Sequence, residues 1–399
     1  MEKKSVKEGI LFFGIILAFI VAIWFLTREE PKKKNTQTAN TNEKEVINVD
    51  VEKNENASGD LFGEYYASAE ELMSKMTLEE KVGQMFLARY PGTGANDEIT
   101  NYNPGGYVLF GVDFKEETKE SALQKINTNQ QNSKIPMFMA VDEEGGTVAR
   151  VSAYPAFREE RFGSPRSLYD ENSLARIIED STEKSLLLKS VGINMNLAPV
   201  ADVTQNEDSF MYDRSLGQSA EITATYIATL VNQMNLDNMI SCLKHFPGYG
   251  ENVDTHTGMA IDNKSLDDFR NNDFKPFMSG IEAGAPCILV SHNIVTSMDE
   301  ENPASLSENV HNILRNELGF SGLIITDDLA MDAVKEYVND GSAAIKAVQA
   351  GNDLIISSDF QGQKQEILDA ISRGEISEDT INNAVRRILA CKMMYGIID

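Results

Sequence analysis

Cysteine and histidine are both scarce in this chain of 399 residues, which contains 3 cysteines and 4 histidines. Cys242, Cys287 and Cys391 are widely spaced, so they indicate neither a disulfide framework nor a zinc-binding pattern. Cys242 and Cys287 lie inside apolar runs and are expected to be small core residues. The sequence also lacks a His-Glu-x-x-His motif or any other compact set of metal ligands. No metal or organic cofactor is therefore expected.

Positively charged residues are also scarce. The chain has 36 lysines and arginines against 62 aspartates and glutamates, which gives a net charge of −26. Such a surface repels a phosphate backbone, so nucleic acid is not an expected partner. The composition is otherwise that of an ordinary globular protein, with 42% hydrophobic and 25% charged residues, and it allows a large core.

The only long hydrophobic run stands near the N-terminus. Residues 9–26 are uncharged and apolar over the length that a membrane-spanning helix needs, and no small-x-small cleavage site follows them. We therefore expect a short cytoplasmic segment (1–8), an uncleaved transmembrane anchor (9–26) and a disordered tether (27–60), with the bulk of the chain outside the cell. Basic residues at 28 and 32–34 count against this orientation, whereas those at 3, 4 and 7 favour it.

Residues 61–399 alternate between short apolar runs and helix-like segments. The runs cover residues 83–88, 106–110, 137–141, 193–197, 239–243, 287–290, 323–325 and 353–356, and clear helix-like segments cover 173–190, 220–235, 266–283, 310–318, 342–350 and 379–394. This α/β pattern predicts a single (β/α)8 barrel of the TIM type, which we expect to be monomeric. The alternative is an open doubly wound sheet, and the absence of a Gly-rich dinucleotide turn after the first run counts against it.

Polar side chains follow most of these runs. Those at the ends of the third to seventh runs are Asp142, Asn196, Lys244, His245, His292, Asp327 and Asp328. Because the carboxyl ends of barrel strands meet at one face, where active sites of this fold lie, these groups are expected to converge. His292 fits a hydrogen-bonding role in the core equally well. His311 begins a helix-like segment and is expected at the surface.

A glycine-rich turn after His245 leads to Asp254 and His256. An aspartate near a histidine can orient the ring and support its positive charge, as a proton-transferring histidine requires. A polar loop with incidental histidines is the alternative for this pair alone.

Six stretches of the chain combine these features. They are AVDEEGGTVAR (140–150), NLAPVADV (196–203), DRS (213–215), KHFPG (244–248), DTH (254–256) and TDDLAM (326–331). Together they resemble glycoside hydrolase family 3 and, more narrowly, its β-N-acetylglucosaminidase (β-hexosaminidase) branch. The resemblance covers nearly all of residues 61–399. It implies a retaining enzyme that hydrolyses terminal β-linked N-acetylglucosamine from cell-wall-derived or related glycans through a covalent glycosyl-enzyme intermediate, without a cofactor.

The resemblance also implies roles for individual residues. It places the nucleophile at Asp327 and the acid/base at His256, with Asp254 orienting the imidazole. It places substrate binding at Asp142, Arg150, Arg214, Lys244 and His245. Asp327 could instead cap the next helix, although Asp328 suits that role better. Arg150 and Arg214 could instead form structural salt bridges, and Glu144 or Glu251 would be the next carboxylates to consider as the acid/base.

The sequence departs from the family pattern at two places. Tyr249 and the residues after it replace the usual His-Gly-Asp-Thr continuation, and Glu143 and Thr147 replace the usual Gln and Arg. These changes affect the pose of the loop and the recognition of groups beyond the first sugar.

Four other functions are also consistent with the sequence. They are a glycan-binding barrel without turnover, a family 3 β-glucosidase, a glycosyl phosphorylase, and a metal hydrolase that uses His245, His256, His292 and Asp254. The intact catalytic residues count against the first. The lack of room for a second domain that donates an acid counts against the second.

Overall fold

The computed structural model describes residues 59–250, 260–331, 334, 337–338 and 342–399. The predicted anchor at 9–26, nearly all of the predicted tether, and Asp254 and His256 lie outside these residues. Within the described ranges, no helix combines the length and apolar character needed to cross a membrane.

Eight parallel strands form a barrel. They are β1 (Phe86–Arg89), β2 (Gly106–Leu109), β3 (Phe138–Val141), β4 (Met195–Asn196), β5 (Ile240–Phe246), β6 (Cys287–Val290), β7 (Leu323–Thr326) and β8 (Ile355–Ser357). Each strand from β1 to β6 pairs with the next strand in the sequence, and β8 pairs with β1. A parallel bridge between Ile325 and Leu354 joins β7 to the residue before β8. The predicted (β/α)8 barrel is confirmed, and the open doubly wound alternative is wrong.

Helices cover the outside of the strands. The α-helices span Tyr66–Met73, Leu78–Gln84, Ala95–Tyr102, Lys119–Asn132, Pro165–Ser190, Ala220–Leu236, Leu266–Asp268, Phe274–Glu282, Glu308–Asn312, Ala343–Ala350, Phe360–Ser372 and Glu378–Met394. Two π-helical turns, Phe269–Asp273 and Ile313–Glu317, continue helices of this set, and a short parallel pair joins Ile261–Asp262 to Ile294–Val295. Many of the helices begin after a serine or threonine whose side chain caps the first turn. Thr77 and Glu80, for example, form a reciprocal capping box.

The first apolar run differs from its predicted extent. Residues 83 and 84 end the helix Leu78–Gln84, and β1 begins only at Phe86. A Cβ atom on Gly83 would lie 2.5 Å from the backbone oxygens of Tyr102 and Asn103. Gly83 therefore serves the close approach of two chain segments and not the start of a strand.

The predicted burial of two cysteines is confirmed, whereas the predicted exposure of His311 is wrong. Cys242 and Cys287 are fully buried neighbours in β5 and β6, as predicted for small core residues. The prediction that His311 lies at the surface is wrong, because the residue is only 3% exposed. Its Nδ1 bonds the carbonyl oxygen of Ser307 at 2.7 Å.

One lysine is fully buried in the C-terminal helix. Lys392 has no exposed surface, its Nζ donates to Oε1 of Gln84 at 2.8 Å, and it lies 5.0 Å from the ring centroid of Phe138. Because neither neighbour carries a charge, burial lowers the pKa of Lys392 from 10.5 to about 7.

We predict that Lys392→Met stabilises the protein more at pH 7 than at pH 9. Between pH 7 and 10.5 the unfolded wild-type chain holds a proton on this lysine that the folded chain has lost, so wild-type stability rises with pH. The difference in unfolding free energy between Lys392→Met and the wild type should therefore be about 2 kcal/mol smaller at pH 9 than at pH 7. Urea denaturation of both proteins measures it. An equal difference at pH 7 and pH 9 would contradict the lowered pKa.

Candidate active site

A cavity of about 470 Å³ opens at the carboxyl ends of the barrel strands. Six of the eight site residues predicted from the sequence line it, namely Asp142, Arg150, Arg214, Lys244, His245 and Asp327. The other two, Asp254 and His256, lie outside the described residues. The structure therefore brings together groups from four separate stretches of the chain.

Lys244 and Asp142, which line this cavity, belong to a buried ion-pair cluster. The Nζ atom of Lys244 lies 2.6 Å from Oδ1 of Asp142 and 2.6 Å from Oε1 of Glu144. Lys244 is 3% exposed and Glu144 is 1% exposed at their side chains, whereas Asp142 is 18% exposed and faces the cavity. Burial alone would lower the pKa of Lys244, but the two carboxylates outweigh it and raise that pKa.

Arg214 completes the cluster on the other side of Glu144. Its Nε and one terminal nitrogen donate to the two Glu144 oxygens at 2.9 and 2.7 Å, which is a bidentate arrangement. Burial alone would raise the pKa of Glu144, but Lys244 and Arg214 lower it far below its ordinary value. Glu144 therefore stays ionised and cannot donate a proton, which counts against it as the acid/base.

Asp202 fixes His245 and the turn that follows. Its carboxylate accepts from the backbone nitrogen of His245 at 3.1 Å, bonds Nδ1 of the same ring at 2.7 Å, and accepts from the backbone nitrogen of Tyr249 at 2.6 Å. The Nε2 atom of His245 lies 3.3 Å from a terminal nitrogen of Arg214. Since a guanidinium only donates, Nε2 accepts and the ring proton sits on Nδ1.

A break in strand register turns both Lys244 and His245 towards the cavity. In a regular strand, successive side chains point to opposite faces. The pairing of β5 with β6 shifts between Leu243 and Phe246, and this irregularity lets two neighbouring residues line one cavity. Beyond it, Gly248 has φ of 130°, and a Cβ there would lie 2.6 Å from Oδ1 of Asp273. The turn therefore requires glycine.

The backbone of Arg150 is fixed by a hydrogen bond, whereas its side chain is partly exposed. Glu143, one of the departures from the family pattern, accepts from the backbone nitrogens of Arg150 and Val151 at 2.8 and 2.7 Å. A terminal nitrogen of Arg150 lies 3.7 Å from Oδ2 of Asp142. Within the described part of the chain, its buried Nε has no hydrogen-bond partner, and the side chain as a whole is 26% exposed and lines the cavity.

Asp327 and Asp328 differ in their surroundings. Asp327 directly follows β7, and its backbone nitrogen donates to the carbonyl oxygen of Val290 at 3.1 Å. Its Oδ1 accepts from the backbone nitrogen of Asp328 at 2.9 Å. Asp328 accepts from the backbone nitrogen of Ala330 at 2.9 Å and from Oγ of Ser358 at 2.7 Å. Asp328 thus stabilises the local turn, whereas the helix-capping role suggested for it from the sequence stays a prediction.

His292 takes the hydrogen-bonding role and does not line the cavity. Its ring is fully buried, with Nδ1 2.6 Å from Oγ of Ser305 and Nε2 3.0 Å from the carbonyl oxygen of Asp328. Both ring nitrogens are engaged, as they are in His245.

The sequence marked the supporting residues of the site only in part. Glu144 was considered as an alternative acid/base and Asp202 lies in the NLAPVADV stretch, but neither was assigned a supporting role, and Phe210 was not singled out. Asp202 ends the Pro199–Asp202 stretch after β4, and Glu144 follows two residues after Asp142. Their positions at strand ends were therefore the available signal. No sequence pattern marks Phe210.

The fold and the cavity together define a (β/α)8-barrel enzyme with a carboxylate and cation site at the carboxyl ends of its strands. Residues 77–391 match the family model described as Glycosyl hydrolase family 3 N terminal domain. The chain belongs to glycoside hydrolase family 3, as the sequence motifs implied, and it is a glycoside hydrolase.

Individual relatives agree with this assignment. A β-hexosaminidase of Nitrosomonas eutropha is 30% identical over 273 residues, covering 67% of this chain and 77% of that protein. An uncharacterized secreted glycosyl hydrolase of Arthroderma benhamiae is 30% identical over 335 residues, covering 78% and 92%. A solved family 3 β-N-acetylglucosaminidase from Paenibacillus sp. str. FPU-7 has 28% identity and a TM-score of 0.74. That match covers 81% of this chain and 63% of the Paenibacillus chain, so this chain spans less than two thirds of that protein.

Proposed function

We propose that this protein is a retaining β-N-acetylglucosaminidase that hydrolyses terminal β-linked N-acetylglucosamine from cell-wall-derived or related glycans. The observation that carries the proposal is that Asp327 shares one cavity with Asp142, Arg150 and Lys244. A carboxylate beside groups that bind hydroxyls is the arrangement that covalent glycoside hydrolysis needs. The names of the β-hexosaminidase and β-N-acetylglucosaminidase relatives support the choice of sugar.

The first step is attack of the Asp327 carboxylate on the anomeric carbon. A bond forms between the carboxylate oxygen and that carbon while the bond to the glycosidic oxygen breaks. His256 gives its proton to the departing oxygen, and in the second step it takes a proton from the water that releases the sugar. Asp254 holds the imidazole in the required tautomer.

The residues around Asp327 bind the sugar. Asp142 can accept from a pair of hydroxyls, and Arg150 and Lys244 can donate to hydroxyls and to the acetamide oxygen. Arg214 and His245 orient each other and these groups through Glu144 and Asp202. This combines the two roles considered for Arg214, since its salt bridge is structural and its guanidinium also lines the cavity.

We predict that the purified protein hydrolyses an aryl N-acetyl-β-glucosaminide at least about tenfold faster than the matching aryl β-glucoside, because the acetamide offers contacts that a hydroxyl lacks. Release of the aryl group and chromatography of the sugar, with and without inorganic phosphate, make the measurement. Faster cleavage of the glucoside would indicate a β-glucosidase. N-acetylglucosamine 1-phosphate as the product would indicate a phosphorylase. No cleavage of either substrate would favour a binding protein.

We propose further that residues 9–26 anchor the protein in the cell membrane as a single-pass helix. Residues 1–8 then lie in the cytoplasm, residues 27–60 form the tether, and the barrel domain 61–399 acts outside the cell. The uncharged run and the lack of a cleavage site support this arrangement.

We predict that a chain without residues 1–58 is soluble and keeps kcat/KM within about twofold of the full-length protein, because the tether adds nothing to the barrel core. The full-length protein should sediment with membranes at its full mass, as shown by fractionation and mass spectrometry. A native N-terminus located after Leu26 would contradict the anchor and indicate secretion.

A further inference from the structure

Phe210 is unusual among the residues of the cavity wall. Its side chain is 37% exposed, and among the exposed large apolar side chains of the described residues it alone lines the cavity that contains Asp327. Exposed aromatic surface is unfavourable in water, so a ring kept at the edge of a polar cavity is typical of a binding surface.

The ring of Phe210 is supported by ordered groups. The ring of Tyr249, which is only 3% exposed, lies 5.8 Å away between centroids at an angle of 46°. The guanidinium of Arg214 lies 5.4 Å from the Phe210 centroid and is itself fixed by Glu144. The ring therefore presents its exposed surface without needing to be ordered by a ligand.

Local hydrogen bonds fix the loop that carries Phe210. Oγ of Ser209 donates to the carbonyl oxygen of Gly250 at 3.3 Å and accepts from the backbone nitrogen of Met211 at 3.1 Å. Met211 is fully buried against Val200 and Tyr249. The chain continues from Gly250 into the segment that carries Asp254 and His256.

Phe210 is more exposed than the polar residues Lys244 and Asp142 that line the same cavity. Lys244 and Asp142 have side-chain exposures of 3% and 18%, and their charged groups suit the terminal sugar. The rest of a glycan must leave the cavity through its mouth, where Phe210 is exposed. The bond from Ser209 to Gly250 also joins its loop to the start of the segment that holds the proposed proton donor to the leaving oxygen.

We propose that Phe210 forms the binding surface for the leaving group and that this group is a sugar whose pyranose ring stacks on the phenyl ring. A pyranose presents a face of C–H groups, which packs against the electron-rich face of an aromatic ring. The inference rests on the proposed function, because it requires a glycan that extends beyond the sugar held at Asp327.

The test compares two substrates that share the same terminal sugar. One is the β-1,4-linked disaccharide of N-acetylglucosamine, whose leaving group is a pyranose, and the other is N-acetyl-β-glucosaminyl fluoride, whose leaving group is too small to stack. Phe210→Ala should lower kcat/KM by about tenfold on the disaccharide and by less than about twofold on the fluoride. Phe210→Trp should keep activity on both. Ile222→Ala is the matched control, because Ile222 is also 37% exposed and does not line the cavity.

The outcomes separate this inference from the proposed function. Equal losses on both substrates, or no loss on either, would overturn the role of Phe210 and leave the enzyme a β-N-acetylglucosaminidase. Failure of the wild-type protein to cleave both substrates would overturn the proposed function and this inference with it.

Discussion

Replacement of Asp327 by alanine is expected to leave a folded barrel whose turnover is lower by roughly four orders of magnitude. Without this carboxylate no covalent glycosyl-enzyme can form, and the remaining groups of the cavity only bind and polarise the sugar. Asp327→Ala removes the bond from the Asp328 backbone nitrogen to Oδ1 of Asp327 but keeps the backbone bond from Asp327 to Val290, so the strand end should keep its place. Steady-state kinetics on an aryl N-acetylglucosaminide and circular dichroism give the two measurements.

Asp328 provides the control for this prediction. It is the same residue type one position further along, but its carboxylate binds Ala330 and Ser358. Asp328→Asn should therefore reduce activity far less than Asp327→Ala. A slow, activated fluoro sugar should label Asp327, as peptide mass spectrometry can show. A label on Asp328, together with an active Asp327→Ala protein, would place the nucleophile at the neighbouring position.

Loss of His256 is expected to affect activity according to the leaving group. His256→Ala should reduce kcat/KM by about 10²- to 10⁴-fold for substrates with poor leaving groups, because their glycosidic oxygen needs a proton as it departs. An activated aryl leaving group needs no proton, so the first step should be much less impaired. Release of the sugar would then limit turnover, and added azide should restore it by attacking the intermediate. Kinetics on a series of aryl glycosides of graded acidity measure this dependence.

Asp254→Asn should reproduce part of the same defect, since the imidazole keeps its place but loses the partner that supports its charge. Equal slowing of good and poor leaving groups in His256→Ala, with the basic limb of the pH profile retained, would place the acid/base elsewhere. Glu251 would be the next residue to test, because Glu144 is buried between two cations and held ionised.

The barrel could be predicted from the sequence because buried parallel strands are apolar on both faces, so each of the eight runs is visible without any partner. The meeting of Asp142, Lys244 and Asp327 followed from the same pattern, since each comes at the end of a run. The exact start of β1 could not be predicted. Residues 83 and 84 belong to the preceding helix, where Gly83 allows the close approach of residues 102 and 103. That approach depends on tertiary structure.

The supporting residues of the site were harder to predict for the same reason. Asp202 bonds His245 across 43 positions of the chain, and Glu144 bonds Arg214 across 70. The local periodicity of the sequence gives no information about residues that are this far apart in the chain. The exposure of His311 was predicted wrongly because a position at the start of a helix says little about which neighbouring elements cover the residue.

The Glu144 cluster has a consequence for how the site responds to ligands. Free lysine and arginine side chains each lose about 2 kcal/mol of rotamer entropy when they are fully ordered. In this protein Lys244 and Arg214 are already immobilised by Glu144, so folding carries that entropic cost and sugar binding does not. The affinity of the site and the stability of the barrel are therefore thermodynamically coupled through one buried carboxylate that no sugar needs to touch.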